Sequence, residues 1–226
     1  MQLPAILPFD GVRVERRSDQ RFYGCGVEPH QLLREAVAEL APDGAEELKA
    51  FLLMLALGLR RKEVDLLEWD SFDFEGGTLH IKPTQWHSLK TNESAAILPV
   101  EPEILELFRG WRARATGAFV IESNRQPKRV GYQWYRAETT FEALLDWLRS
   151  KGVTGNKPLH QLRKLYGSEM ASVHGIHAAS SALRHSDIKT TAEYYADSRV
   201  MRTAGFGSTL SGPAVVSFPR ESKDLG

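Results

Sequence analysis

Residues 159–197 concentrate side chains that can do chemistry on an anionic substrate. They read LHQLRKLYGSEMASVHGIHAASSALRHSDIKTTAEYYAD and contain arginines, histidines and a pair of tyrosines. Guanidinium groups bind phosphate oxygens, imidazoles carry protons near neutral pH, and a phenol oxygen can act as a nucleophile. Together these residue types predict chemistry on a phosphodiester.

The spacing within this stretch brings the reactive types together. His160 and Arg163 are three residues apart, so they share one face of a helix. His185 is followed by a serine and an aspartate that can cap a further helix, which would carry Tyr194 and Tyr195. Each pair alone is common on protein surfaces, but their order and spacing together are not.

Two further cations lie outside this stretch. Arg60 stands near the start of GLRRKEVDLLEWD, residues 58–70, whose apolar spacing predicts a short buried helix. Lys90 lies in a loop that precedes a predicted strand, a position from which its amine can reach a site built elsewhere. A phosphodiester site assembled from distant segments therefore needs a fold that brings them together.

Hydrophobic spacing predicts an α+β fold in which helices dominate, with one small antiparallel sheet of three strands. The sheet comprises a hairpin that turns at residues 75–77 and a third strand at residues 95–100. Residues 119–121 are predicted as a short strand and residues 124–131 as a basic loop. Helices are predicted in residues 28–40, 45–57, 104–114 and 137–151, and in three pieces of residues 159–197 broken at Gly175 and near residue 185.

Charge is distributed unevenly along the 226 residues, although the net charge is zero. Residues 1–113 carry 13 Lys and Arg against 19 Asp and Glu, whereas residues 114–226 carry 16 against 10. The net charges of the two halves are therefore −6 and +6. A polyanion responds to the local basic surface, so zero net charge does not exclude a nucleic-acid partner.

The composition indicates a cytoplasmic location. No apolar run approaches the roughly 18 residues that a membrane span needs. The N-terminus lacks a charged region before its short apolar patch, so we expect no signal peptide. The lone Cys25 has no partner for an internal disulfide, which suits a reducing compartment.

Four segments resemble the sequence boxes of the tyrosine recombinases, the phage integrase family. GLRRKEVDLLEWD is similar to the family's first arginine box, and SLKTNESAAILPV is similar to its hairpin lysine segment. LHQLRK resembles the histidine-x-x-arginine box, and ALRHSDIKTTAEYYAD resembles the histidine-to-tyrosine box. The four boxes occur in family order over about residues 45–200, so the resemblance implies the catalytic-domain fold of this family.

The resemblance implies a phosphate clamp. Arg60 and Arg163 would hold the scissile phosphate, with Glu63 as a structural partner in the first box. Two guanidinium groups can stabilise the charge of phosphoryl transfer without a metal.

The remaining catalytic roles are implied in the same way. His185 would donate to a non-bridging oxygen, Lys90 would protonate the leaving 5′ oxygen, and His160 would assist proton transfer at the nucleophile. The common family spacing from the box histidine reaches Tyr194, whereas the ending tyrosine-x-acidic matches Tyr195. We expect Tyr195 to be the nucleophile, with Tyr194 as the alternative.

Basic residues near these boxes are expected to contact DNA. They are Arg61, Lys128, Arg129, Lys164 and Arg184. Arg184 departs from the family pattern, which usually has glycine before the second histidine.

The expected domain organisation is a lead-in segment, a catalytic domain and a tail. The lead-in is residues 1–27, the catalytic domain is residues 28–203, and the tail is residues 204–226. Family members generally carry a separate N-terminal helical domain that closes a clamp around DNA, and only about 44 residues precede the first matching helix here. The tail contains the apolar piece AVVSF, which would dock on a neighbouring subunit or fold back on its own domain.

The expected function is site-specific DNA recombination through a 3′-phosphotyrosyl intermediate. A type IB topoisomerase shares this chemistry, but such enzymes usually have lysine where His160 stands. A DNA-binding remnant without catalysis is the other alternative, and the complete set of candidate residues opposes it. A metal-dependent nuclease is disfavoured because the histidines lack a carboxylate cluster at ligand spacing.

The resemblance also implies partners. We expect double-stranded DNA as substrate, a homotetramer on two duplexes when active, no membrane partner and association with the nucleoid. Neither a cofactor nor a metal is expected, because the phosphotyrosine bond conserves the energy of the broken strand.

Overall fold

The structure, a computed structural model, describes residues 26–41, 45–86, 96–130, 133–184 and 203–210. The helices in these ranges are α1 (Pro29–Leu40), α2 (Ala45–Leu55), α3 (Arg61–Asp65), α4 (Pro102–Arg112), α5 (Glu138–Ser150), α6 (Pro158–His174), α7 (Ile176–Ala182) and α8 (Gly207–Leu210). The strands are β1 (Phe72–Asp73), β2 (Thr78–Ile81), β3 (Ala96–Pro99), β4 (Lys128–Val130) and β5 (Gln133–Tyr135). The prediction of a mostly helical α+β fold with a small three-stranded antiparallel sheet is confirmed.

Helix α2 is the central element of the core. Its residues 48–55 are all buried, and it packs against α1, α3, α5 and α6. A helix that is apolar on nearly every side must be enclosed by other elements. Because α2 is fixed from several directions, the chain that leaves it at Gly58 enters the candidate site at a defined position.

The predicted helices around α2 are confirmed, with ends that shift by one to two residues. Helix α1 begins as expected, because the Glu28 carboxylate accepts from the backbone N–H groups of His30 at 2.8 Å and Gln31 at 2.5 Å. Pro29 occupies the first helical position, where its missing N–H leaves no helical hydrogen bond unmade. The α5 helix covers residues 138–150 of the predicted 137–151.

The sheet has the order β1-β2-β3, and both pairs are antiparallel. Phe72 pairs with Leu79, which in turn pairs with Leu98. All three side chains are buried, because they lie on the side of the sheet that faces the core. The predicted hairpin and third strand are therefore confirmed, although β1 is only two residues long.

Two predictions between α4 and α5 are wrong. Residues 119–121 form no strand, because Phe119 makes a single bridge to Glu68 and the facing chain then turns into a 3₁₀ helix at Trp69–Ser71. The predicted basic loop instead contains strand β4, which pairs antiparallel with β5. Three-residue strands carry too little alternation to be recognised in a sequence, and their pairing depends on the partner strand.

Residues 159–184 form α6 and α7, and they separate at Gly175 as predicted. Gly175 has φ of 84°, a left-handed conformation that ends α6. The third predicted helix of this stretch lies outside the described residues. So do the lead-in up to residue 25 and the AVVSF piece of the tail.

The part of the predicted tail that is described, residues 204–210, packs on its own chain. Helix α8 contacts α1 and α4. The Glu101 carboxylate accepts from the backbone N–H groups of Gly205 at 2.9 Å and Phe206 at 3.1 Å, and also from that of Gly207. The Phe206 ring is fully buried. Buried apolar area and a charged cap together hold this segment in place.

No helix in the described ranges is long and apolar enough to cross a membrane.

Candidate active site

Arg60 stands at the residue that caps the N-terminus of α3. Its backbone is extended, with φ −80° and ψ 150°, and its N–H donates to Glu63 Oε2 at 2.8 Å. Its side chain turns to the same carboxylate, with Nη1 2.9 Å from Glu63 Oε1. The Arg60 side chain is 43% exposed, so the guanidinium is fixed by Glu63 while one side of it remains open to solvent.

Glu63 is a buried carboxylate that joins two arginines. Its side chain is only 3% exposed, and its Oε2 accepts from Arg184 Nη2 at 2.7 Å. Burial alone would raise the pKa of Glu63. The positive charge of Arg184, the Arg60 backbone N–H and the Arg60 charge outweigh burial, and the pKa lies below its usual range.

Arg163 brings α6 to this pair. It is 2% exposed and donates from Nη1 to the Gly58 carbonyl and from Nη2 to the Leu183 carbonyl. These bonds join the end of the α2 segment, the middle of α6 and the end of α7. Burial, followed by repulsion from Arg60 and Arg184, lowers the pKa of Arg163 to about 9. That pKa lies well above neutral pH, so the guanidinium remains charged.

The cluster of Arg60, Glu63, Arg163 and Arg184 contains three guanidinium groups and one carboxylate, for a net charge of +2. A positive charge on buried, fixed groups attracts a bound anion more strongly than the same charge does in water, because the effective dielectric constant is lower. The sequence predicted the first three residues as partners, and the structure brings them together. The net positive charge of this cluster suits the binding and electrostatic stabilisation of one phosphoryl group.

Gly58 and Tyr166 are site residues that the sequence did not single out. Gly58 has φ of +62°, and a Cβ atom added there would collide with the Tyr166 ring. The close approach lets the Gly58 carbonyl reach Arg163. Tyr166 follows Arg163 by three residues on α6, which is the signal that could have placed it nearby. Tyr166 is 5% exposed and packs against Gly58, and burial raises the pKa of its phenol to about 12.

We expect Gly58→Ala to lower the free energy of unfolding by about 2–4 kcal/mol, because it adds both a backbone strain and a clash. Gly77→Ala is the matched control, since Gly77 has φ of +65° and no heavy atom within 4 Å of an added Cβ. Gly77→Ala should lower the free energy of unfolding by about 1–2 kcal/mol, from backbone strain alone. Urea denaturation of the two variants measures the difference, and equal losses would contradict a tight contact at Tyr166.

His160 lies in the first turn of α6 and is exposed, whereas Arg163 one turn later is buried. The backbone N–H of His160 bonds to the Lys157 carbonyl at 2.9 Å. The prediction that the helical stretch from residue 159 carries His160 and Arg163 is therefore confirmed, and the helix begins one residue earlier, at Pro158. The remaining predicted catalytic residues, Lys90, His185, Tyr194 and Tyr195, lie outside the described residues.

The residues expected to contact DNA differ in exposure. Lys128 and Arg129 are exposed on β4, and Lys164 is partly exposed on α6. Arg61 packs its guanidinium over the rings of Tyr135 and Phe141, at 5.2 and 4.9 Å from their centroids. Arg61 therefore helps to hold β5 and α5 against α3.

Arg184 is placed inside the cluster. Its side chain is 5% exposed and lies on Glu63. Its contact with DNA stays a prediction.

A second buried carboxylate, Asp65, also escaped the sequence reasoning. It accepts from the backbone N–H groups of Arg136 at 3.1 Å and Ala137 at 2.8 Å, at the start of α5. Asp65 thus fixes α5 against α3 from within the first arginine box. Its signal in the sequence is weak, because an acidic residue in a short helix is usually exposed.

Among the residues that the structure describes, no group of three or more His, Cys, Asp or Glu side chains is arranged to hold a metal ion.

Comparison with known proteins agrees with the fold and with the sequence boxes. The model of the phage integrase family matches residues 28–201. The solved structure of XerA recombinase is similar, with a TM-score of 0.52 and 15% sequence identity over 74% of this chain and 57% of that one. The comparison with curated protein sequences found no significant match to the chain.

A second similar structure is that of the Tn1549 transposon integrase in complex with circular intermediate DNA. Its TM-score is 0.48, with 18% identity over 77% of this chain and 63% of that one. The chain thus spans less than two thirds of the length of either protein. The family match extends over most of the chain and includes both the arginine cluster and the histidine-to-tyrosine box. The chain therefore belongs to the phage integrase family, the tyrosine recombinases, and has the fold of their catalytic domain.

Proposed function

We propose that the chain cleaves and rejoins DNA strands in site-specific recombination, through a covalent 3′-phosphotyrosyl intermediate. The observation that carries the proposal is the cluster of three guanidinium groups around the buried Glu63. Membership of the phage integrase family supports it independently. A cluster with net positive charge and one exposed guanidinium suits a single phosphate bound at the surface of the domain.

The proposed cleavage step is an in-line displacement at phosphorus. The tyrosine oxygen loses its proton and forms a bond to the phosphorus, while the bond from phosphorus to the 5′ oxygen breaks. The 5′ oxygen takes up a proton and leaves as a hydroxyl group. Attack by a 5′ hydroxyl of a partner strand reverses these events, so each phosphodiester broken is replaced by one formed and no nucleotide is consumed.

The side chains take the roles that the family pattern gives them. Arg60 and Arg163 neutralise the non-bridging oxygens as charge develops on them. Lys90 supplies the proton to the 5′ oxygen, and His185 donates to a non-bridging oxygen. His160 assists proton transfer at the nucleophile, for which its exposed position at the start of α6 leaves room.

The proposed DNA contacts use exposed and partly exposed cations of β4 and α6. Lys128 and Arg129 on β4, together with Lys164 on α6, would bind backbone phosphates without reading the sequence. Such contacts release counterions, so the affinity for DNA should fall steeply with salt. Strand exchange needs two duplexes, and we propose a homotetramer as the active assembly.

Tyr195→Phe is expected to abolish the covalent adduct, because phenylalanine has no oxygen to attack phosphorus. Tyr194→Phe should retain it and is the matched control. The measurement uses a duplex of the target site with a nick next to the scissile phosphate, so that the released strand diffuses away and the adduct accumulates. EDTA is present throughout, and the adduct is seen as a shifted band on a denaturing gel.

The adduct gel, a DNA-binding assay and a plasmid-relaxation assay together distinguish the candidate functions. An adduct with Tyr195→Phe but not with Tyr194→Phe would move the nucleophile by one residue. DNA binding without an adduct from the intact protein would indicate a binding remnant. Relaxation of supercoiled plasmid by a monomer, without recombinant product, would indicate a type IB topoisomerase.

A further inference from the structure

Arg184 is the residue of the cluster that has no counterpart in the family pattern, and two of its features oppose stability. Its φ is 51°, and it is the one non-glycine residue in the described ranges with positive φ. A residue with a Cβ atom is strained in this conformation, whereas glycine is not. The strain must be offset by something that the side chain does.

The second unfavourable feature is the burial of the Arg184 guanidinium. Its Nη2 donates to Glu63 Oε2 at 2.7 Å, but Nε and Nη1 are buried with no hydrogen-bond partner. Buried donors without acceptors destabilise a fold, and an apolar side chain would fill the same space at less cost. Packing alone does not explain an arginine at this position.

The contacts of Arg184 lead to the phosphate clamp from two directions. Its side chain holds one oxygen of Glu63, while Arg60 Nη1 holds the other at 2.9 Å. Its backbone carbonyl also accepts from Arg60 Nη2, at 3.4 Å. Arg60 is therefore oriented by Glu63 and by the main chain of residue 184, and Glu63 is in turn oriented by the Arg184 side chain.

The charge of Arg184 matters separately from its contacts. Without it, two guanidinium groups and one carboxylate give the cluster +1, which equals the charge of one phosphodiester with opposite sign. Attack by a tyrosine oxyanion brings the total charge of the reacting groups to −2. With Arg184 the described cluster carries +2, so the third guanidinium adds positive charge where a second negative charge is present during reaction.

We propose that Arg184 is a positioning residue of the phosphate site, which fixes Glu63 for Arg60 and supplies the third positive charge that favours the transition state over bound DNA. This inference rests on the proposed function. It assigns to Arg184 an effect on the rate of cleavage rather than on the affinity for DNA.

Three variants separate charge, contact and backbone strain. Arg184→Gln keeps the backbone strain and removes the charge. Arg184→Lys keeps the charge. Arg184→Gly removes the side chain and relieves the strain, while the residue 184 carbonyl remains available to Arg60. Arg149→Gln is the control, because Arg149 is an exposed arginine on α5 that pairs only with Asp146 among its described neighbours.

The test measures the single-turnover cleavage rate on the nicked duplex at saturating protein, the dissociation constant for the same DNA, and the melting temperature. We expect Arg184→Gln to slow cleavage about tenfold or more while the dissociation constant changes about twofold or less. Arg184→Lys should recover part of the rate. Arg184→Gly should be as slow as Arg184→Gln, and the relief of backbone strain should offset part of the stability lost with the ion pair to Glu63. Arg149→Gln should match wild type.

Wild-type cleavage rates in both Arg184→Gln and Arg184→Gly would overturn the inference. The inference would also be overturned if the cleavage rate of every variant decreased in proportion to the fraction of that variant that is folded. If the wild-type protein forms no adduct, the proposed function fails, and the inference is decided by thermal stabilisation with inorganic phosphate. The phosphate is added above neutral pH, where it is mainly a dianion and so carries the same charge as the reacting groups together. A larger phosphate-induced shift in wild type than in Arg184→Gln would support a third cation at the site, and equal shifts would overturn it.

Discussion

Arg163→Lys is expected to lower the cleavage rate at pH 8 by a factor of about 10²–10³, although it preserves a formal positive charge. Arg163 donates to two backbone carbonyls from separate nitrogens, and lysine has a single nitrogen that cannot reach both. The larger effect is electrostatic. Burial and the charges of Arg60 and Arg184 lower the pKa of Arg163 from 12.5 to about 9.

The same surroundings should favour the neutral form of a lysine. Burial beside Arg60 and Arg184 should hold the pKa of the new amine below its ordinary value of about 10.4. The cleavage rate of Arg163→Lys relative to wild type should therefore fall as the pH rises, because its amine loses the proton at a lower pH than an ordinary lysine does. Wild-type Arg163 keeps its charge between pH 6 and pH 8, so loss of this charge should not lower the wild-type cleavage rate over that range.

Single-turnover cleavage of the nicked duplex between pH 6 and pH 9 measures both effects. The control is Arg149→Lys, which exchanges an exposed arginine of α5 for lysine and should follow the wild-type profile. Cleavage by Arg163→Lys at the wild-type rate at pH 8 would show that this guanidinium does not hold the phosphate.

Glu63→Gln is expected to lower the free energy of unfolding by about 3–5 kcal/mol, because it removes the one carboxylate from a cluster of three guanidinium groups. Glutamine offers a single acceptor oxygen, whereas Glu63 accepts from Arg184 and from both the backbone and the side chain of Arg60. Inorganic phosphate should recover part of the loss, since an anion bound to the native state stabilises it.

The difference in the free energy of unfolding between wild type and Glu63→Gln should change with pH in a defined direction. The pKa of Glu63 is depressed in the folded protein, so the carboxylate contributes its stability above the unfolded pKa of about 4.3. That contribution is lost as the pH falls through the folded pKa. The gap between wild type and Glu63→Gln, measured by urea denaturation, should therefore narrow as the pH falls below about 4.

The control for Glu63→Gln is Glu106→Gln. Glu106 also pairs with an arginine three residues away, Arg109, but at the surface. Exposed pairs of this kind contribute about 0–1 kcal/mol, so Glu106→Gln should stay close to wild type. If Glu63→Gln also lowers the free energy of unfolding by no more than Glu106→Gln does, the buried carboxylate is not needed to stabilise the arginine cluster.

The sequence by itself determined the elements whose signals are local. Helix α1 follows from its apolar spacing and its Glu28 cap, and the β1-β2 hairpin follows from its turn and flanking alternation. The resemblance of residues 58–70 to the first arginine box implied that Glu63 is a structural partner there, and its carboxylate lies 2.9 Å from Arg60. Each of these depends on residues within one or two turns of each other, so no knowledge of distant contacts is required.

Only the tertiary structure decided features that depend on distant neighbours. Strands β4 and β5 form because each supplies the other's hydrogen bonds and Arg61 packs on Tyr135, a residue 74 positions away. Residues 203–210 pack on their own chain because Glu101 caps them.

The clearest case is Arg184. Its type and position suggested a cation that faces DNA, whereas the structure buries it on Glu63, a residue 121 positions earlier. The resemblance to the family boxes assigned Arg60, Arg163 and Glu63 to this site, and it placed Arg184 among the expected DNA contacts. Which of their charges is exposed and which is buried was decided only by the packing of α2, α6 and α7, because burial depends on what surrounds a side chain and not on its neighbours along the chain.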